Sequence, residues 1–228
     1  MMGKSKYLLS IATIAVFLAV GPVQAGPTSY SGSLTTADGG LVGSGGSWVT
    51  DPDDDVVFSW TVTQNADLSW RYQYTFDSTG IQGDISHLVI ETSATFTAND
   101  IFNDTPAVDG GGPDFHGAAN GNPSIPETLF GVKFESSDTS VMTVQFDSWR
   151  EPVWGDIFAK GGRVSGHLWN AGFTAPDIDP GVAPRNGSVD YHVLVPDTTI
   201  STVPAPGALV LAGLGVAGVS RLRRRRIL

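Results

Sequence analysis

The 228-residue chain contains no cysteine. Disulfides, thiolate metal sites and cysteine nucleophiles are therefore excluded. Basic residues are scarce in the interior. All 23 acidic residues lie between Asp38 and Asp197, and only Arg71, Lys133, Arg150, Lys160, Arg163 and Arg185 oppose them there. A stretch this acidic repels phosphate backbones, which argues against nucleic acid as a partner. Histidine is limited to His87, His116, His167 and His192, and no two have the i, i+4 or H-x-H spacing of a zinc pair. A G-x-S-x-G nucleophile elbow is also missing. Glu91, Glu127, Glu135 and Glu151 cannot be paired as glycosidase carboxylates from sequence, because that assignment depends on their separation in space.

What is present is concentrated first at the two ends. Lys4 and Lys6 precede a predominantly apolar run over residues 8–20, and Val23 and Ala25 place small residues at the −3 and −1 positions of a cut after Ala25. This three-part order predicts a secretory signal peptide over residues 1–25 and delivery through the export translocon. At the other end, Pro204-Ala205-Pro206 is followed by a Gly- and Ala-rich apolar stretch over 207–220, then by Arg221, Arg223, Arg224, Arg225 and Arg226. As a helix, residues 203–220 would span roughly 27 Å at about 1.5 Å per residue, just enough for the hydrocarbon core. The arginines would act as a stop-transfer signal and keep this end in the cytoplasm, with the rest of the chain outside the inner membrane. The same stretch spells G-x-G-x-x-G from Gly213 to Gly218. A dinucleotide site also needs a preceding strand and an acidic residue about twenty positions on, so this match is discounted.

The tail resembles the PEP-CTERM sorting signal of Gram-negative bacteria: a Pro-Glu-Pro-like motif, a short transmembrane segment and an arginine cluster in that order. Ala205 stands where that signal most often has glutamate. The resemblance implies processing by an exosortase near Pro204, Ala205 and Pro206. It further implies a transient inner-membrane anchor, then the cell surface, the extracellular space or an exopolysaccharide matrix. Segments 85–91, 116–126 and 152–156 are similar to stretches in a set of PEP-CTERM cargo proteins, which implies an exported β fold and no particular activity.

The middle of the chain predicts one domain over residues 26–196, followed by a linker over 197–203 and the sorting tail over 204–228. Phe58, Trp60 and Val62 alternate with Ser59, Thr61 and Thr63, and Leu68, Trp70, Tyr72, Tyr74 and Phe76 alternate with Ser69, Arg71, Gln73 and Thr75. Period-two alternation with aromatic and β-branched residues marks half-buried strands, with a hairpin turn at 64–67. Further strands are expected at 85–92, 129–135, 141–147, 157–160, 164–169 and 191–195, with a short helical turn capped by Thr97. Many short strands without long helices give an all-β fold, an antiparallel β-sandwich, of which a jelly-roll-like arrangement is one form. Residues 103–126 hold a Gly- and Pro-rich segment too long for an ordinary hairpin connection, and are read as a mobile or functional surface loop.

Candidate chemistry is thin. Asp51, Asp53 and Asp55 alternate as calcium ligands do, but the EF-hand glycine and glutamate are missing, so they remain weak calcium candidates beside the simpler reading of a solvated turn. No other cofactor is expected. His116, near Asp114 in the Gly-rich segment, is the histidine most suited to a functional role, and His87 and His192 fit structural positions in strands. Trp149, Trp154 and Trp169 lie near strand ends where they could offer sugar platforms, whereas Trp60 and Trp70 fit a core. Thr61-x-Thr63 and Thr95-x-Thr97 lack the regular repetition of an ice-binding array. The leading expectation is a non-enzymatic structural or interaction protein of the cell surface or extracellular matrix. The alternatives are a carbohydrate-binding module for exopolysaccharide and, less favoured, a secreted hydrolase using His116.

Overall fold

The computed structural model describes residues 28–50, 55–79, 81, 83–162, 165–176 and 182–196. The leader with Ala25, the carboxylates Asp51 and Asp53, and the tail with Pro204, Ala205, Pro206 and its arginines lie outside the described residues.

Thirteen strands are described: β1 (Ser29–Thr35), β2 (Leu41–Ser44), β3 (Val57–Gln64), β4 (Trp70–Asp77), β5 (Ile85–Glu91), β6 (Phe102–Thr105), β7 (Asp114–His116), β8 (Leu129–Thr139), β9 (Val141–Ser148), β10 (Pro152–Gly155), β11 (Ile157–Gly161), β12 (His167–Asn170) and β13 (Val193–Pro196). Among the described residues, helical structure is confined to single turns, α1 (Ser47–Thr50) and three 3-10 turns. Three antiparallel sheets result: five strands in the order β1-β3-β4-β9-β6, six in the order β2-β12-β11-β5-β8-β7, and the pair β10-β13. The fold is all-β, as the alternation predicts.

In the five-stranded sheet, register turns alternation into rows. Leu34, Phe58, Phe76 and Met142 stand side by side across four strands, as do Gly32, Trp60, Tyr74 and Val144, and Tyr30, Val62, Tyr72 and Phe146. Directly opposed residues share a face of the sheet, so these rows form one apolar surface. The six-stranded sheet supplies Leu88, Ile90, Val132, Phe134, Ile157, Ala159 and Leu168 to the same core cluster. Phe134 of β8 stacks on Phe146 of β9 at 5.8 Å between centroids, a direct contact between the two sheets. The tyrosines keep their polar ends paired within this core. Tyr72 donates to the Arg150 carbonyl and Tyr74 to the Leu194 carbonyl, each at 2.8 Å. Burial alone pushes the Tyr74 phenol well above its usual range.

Several boundaries differ from the sequence reading: β8 runs on to Thr139, β12 covers His167–Asn170, and two strand starts move for a local reason. Leu68 belongs to the β3–β4 turn, with φ of 73° and 69% exposure, and the strand begins at Trp70. The turn closes through Asn65 N to Ser69 O and Asp67 Oδ1 accepting from Ser69, so local hydrogen bonding overrides the apolar period at Leu68. Similarly, Asp190 and Tyr191 have φ of 48° and 63°, and the last strand starts at Val193. Thr97 does precede a helical turn: Asp100 Oδ2 accepts from the Thr97 amide and hydroxyl, both at 2.8 Å. The segment 103–126 is more ordered than a loop, since β6 adds an edge strand to one sheet and β7 adds an edge strand to the other.

Candidate functional site

The edge strand β7 builds a cleft. Asp114, Phe115 and His116 stand opposite Gly131, Phe130 and Leu129 of β8. Alternation therefore sends Phe115 and Phe130 to one side and His116 to the other. Phe115 is 57% exposed and lies 4.9 Å from the Phe130 ring at a tilt of 59°. The turn before β7 carries Gly110 and Gly111 at φ of 69° and 75°, a conformation that a residue with a Cβ adopts at a cost. Together with Phe96, Asp109, Asp114 and Lys133, these groups line a cavity of about 550 Å3.

The polar groups of the cleft are tethered. His116 Nε2 donates to the Gly131 carbonyl at 3.1 Å, which leaves the lone pair on Nδ1. Burial depresses the His116 pKa, opposed in part by that hydrogen bond, so the ring is held neutral. Lys133 bridges Asp109 at 2.7 Å and Glu135 at 2.6 Å. Its hydrogen bond keeps the Asp109 carboxyl below the ordinary range. For Lys133 itself, burial pulls the pKa down but the two carboxylates outweigh it and leave it raised. Asp114 Oδ1 accepts from the Phe115 amide at 2.7 Å. The cleft thus offers an exposed aromatic face beside carboxylates. Such a set suits a ligand with an apolar face and hydroxyl donors.

The other candidates are scattered. Trp154 is 4% exposed in the core, so it cannot act as a surface platform. Trp169 is partly buried against the small cluster of Val89, Ile125, Leu129, Phe158 and Phe173. Trp149 alone of the three is openly exposed, at 49%, resting on Phe102 at 5.6 Å. Trp60 and Trp70 are buried. Asp55 Oδ1 accepts from the Thr36 hydroxyl at 2.7 Å and the Ala37 amide at 3.0 Å, which pins the turn after β1. Among the described residues, no cluster of three or more histidine or acidic side chains is arranged to hold a metal.

His87 is buried and its Nε2 donates to Asn122 Oδ1 at 2.7 Å. Burial depresses its pKa, partly offset by that hydrogen bond. His192 is fully buried, with its Nε2 3.7 Å from Asp156 Oδ1, and that same oxygen accepts from Asn170 at 2.7 Å. The sequence singled out His116 as the histidine most suited to a functional role, and the structure places it in the lining of this cleft beside Phe115, which the sequence did not single out. An exposed phenylalanine carries no sequence signal until the pairing with Phe130 and the open edge are known.

No helix among the described residues is long and apolar enough to cross a membrane. Neither a curated protein nor a solved structure matches the chain. One family model matches: the PEP-CTERM protein-sorting motif, over residues 202–226. The match takes in Pro204, Ala205 and Pro206, the apolar stretch and the arginines from Arg221 to Arg226. It begins six residues after Pro196, the last residue of the buried strand β13, so the folded part and the motif are nearly contiguous. The chain thus carries a PEP-CTERM protein-sorting motif over residues 202–226, and this motif implies a membrane-anchored precursor that an exosortase processes on its way to the surface.

Proposed function

We propose that this is a non-enzymatic interaction protein of the cell surface or extracellular matrix, delivered there by exosortase sorting. The observation that carries the reading is the sorting motif placed directly after an acidic, cysteine-free β domain. The β domain itself reads as a sandwich, with the five- and six-stranded sheets closing on one core.

The test is made in the native host. Intact mass of the surface-released protein should show loss of residues 1–25 and of Arg223 to Arg226, and deletion of the exosortase should leave the full tail on membrane-bound protein. Mature surface protein that still carries the four arginines refutes the sorting route.

Carbohydrate binding is the second reading, favoured by the exposed Phe115 over the cleft. A glycan array probed with wild type and Phe115→Ala tests it. Glycan signals lost in the variant support a binding module, and unchanged signals remove the cleft from consideration.

A further inference from the structure

The outer face of the six-stranded sheet carries a row of residues that are far apart in sequence. Register aligns Glu135 of β8, His87 of β5, Lys160 of β11, His167 of β12 and Ser44 of β2 side by side. At one end of this row lies a second cavity, of about 440 Å3, lined by Ser44, Pro123, Lys160, His167 and the glycines at 45, 46, 161, 162 and 166. Its volume falls within the roughly 300–1,000 Å3 typical of small-molecule sites. Of its five glycines, Gly45 and Gly162 face open space, whereas a Cβ at Gly46, Gly161 or Gly166 would run into Ser165 or Gly45, so those three are set by packing within the protein.

Charge singles out this place. Of the five described cations, Arg71, Lys133 and Arg150 are in ion pairs with Asp147, with Asp109 and Glu135, and with Asp100 respectively, Arg185 lines neither cavity, and Lys160 lines this one. Lys160 forms no ion pair among the described residues. Its Nζ donates to the Gly121 carbonyl at 2.7 Å, which uses one of three N–H groups. His167 Nδ1 lies 3.4 Å from the Ser44 carbonyl. A carbonyl only accepts, so Nδ1 carries the proton and the neutral ring presents Nε2 as an acceptor. The ring is stacked on Phe158 at 6.0 Å, which fixes its plane.

We infer that this cavity binds a sugar acid, with its carboxylate on the Lys160 ammonium and a neighbouring hydroxyl donating to His167 Nε2. One permanent cation balances one carboxylate. A phosphate dianion calls for a second fixed cation or an arginine fork, and the described lining supplies neither. The two groups lie on paired positions of adjacent strands and so share one face of the sheet. The site is separate from the β7 cleft. It deepens the matrix-protein reading by naming an acidic polysaccharide as partner, and rests on that reading only for the ligand's source.

The experiment is calorimetric titration of the full chain, in detergent, with hexagalacturonate, monomeric galacturonate, a neutral galactose hexamer and inorganic phosphate. Both uronates should bind, with the neutral hexamer and phosphate at least tenfold weaker. A hexamer tighter than the monomer assigns the site to a chain, and equal affinities assign it to the free acid. Lys160→Met should weaken uronate binding at least tenfold, and Lys160→Arg should retain most of it. Lys160→Met also removes the anchor to Gly121, so His167→Phe is the independent variant: it keeps the ring on Phe158 and should lose several-fold in affinity without a lower melting temperature. Either variant binding as wild type overturns the proposal. Phosphate or the neutral hexamer binding as tightly as uronate, or no uronate binding at millimolar concentration, overturns it too. None of these failures affects the processing result in the native host, so the two readings fall separately.

Discussion

Arg150 and Asp100 form a two-pronged ion pair, Nε to Oδ1 at 2.8 Å and Nη2 to Oδ2 at 3.1 Å, with side chains only 7% and 14% exposed. The same guanidinium donates to the Thr95 carbonyl at 2.9 Å and lies 6.0 Å from the centre of the Phe96 ring. The Arg150 carbonyl in turn accepts from Tyr72 in the core. One residue therefore ties the end of β9, the turn before β6 and the apolar rows together. Removing one partner of such a buried pair strands the other charge. Arg150→Ala should therefore cost about 3–5 kcal/mol in urea unfolding. A double-mutant cycle with Asp100→Asn should show strong coupling, and a loss below about 1 kcal/mol would mean that solvent already screens the pair.

Acid should destabilise the protein in two stages. His87 and His116 are both depressed chiefly by burial. The unfolded chain then binds protons more readily than the folded one, so stability present above about pH 6.5 is lost as pH falls through the folded values. At Asp100, burial raises the pKa but hydrogen bonds from Arg150 and Thr97 outweigh it, and at Asp147 the hydrogen bond from Arg71 leads the lowering. Their stabilisation is present above about pH 3.9 and is lost below it. Melting temperatures should fall first between pH 7 and 5, then again below pH 4. His87→Gln, which can still donate to Asn122, should flatten the first stage. A melting temperature unchanged from pH 7 to 5 would contradict the neutral, buried state of these rings.

Gly32 should resist substitution although its backbone is ordinary extended strand. A Cβ there would run into the Trp60 indole and come within 2.9 Å of the Gly187 carbonyl. Gly32→Val gains strand propensity but overpacks the row Gly32-Trp60-Tyr74-Val144. Overpacking of this kind costs about 1–3 kcal/mol. Chemical denaturation should show that loss together with a shift in tryptophan emission. A variant as stable as wild type would show that Trp60 has room to move.

Asp55 should matter with or without calcium. Its carboxylate holds the Thr36 hydroxyl and the Ala37 amide. Asp55→Ala should therefore lose about 1–2 kcal/mol, the usual cost of stranding such donors. Thermal melts in millimolar calcium and in chelator should shift equally. A loss confined to the calcium sample would instead make Asp55 a ligand alongside Asp51 and Asp53.

Much of this protein is written in short-range patterns. The sorting motif is linear, so Pro204, Ala205, Pro206 and the arginines after residue 220 could be read without any fold. The strands β3, β4 and β9 declare themselves because each mainly buries one face, and burial on one face forces period two in the sequence, whereas β5 is buried on both faces and reads as a short apolar run. Tertiary structure decided which loops join sheets. The strands β6 and β7 are only four and three residues long, their pairing partners lie more than ten residues away, and no alternation can be seen in so few positions. It also decided which aromatic faces reach solvent: Trp154 is buried and Phe115 exposed because of where the sheets end. The alignment of Lys160 with His167 and His87 was equally invisible, since register is set by long-range hydrogen bonding and core fit and leaves no local mark on those three residues.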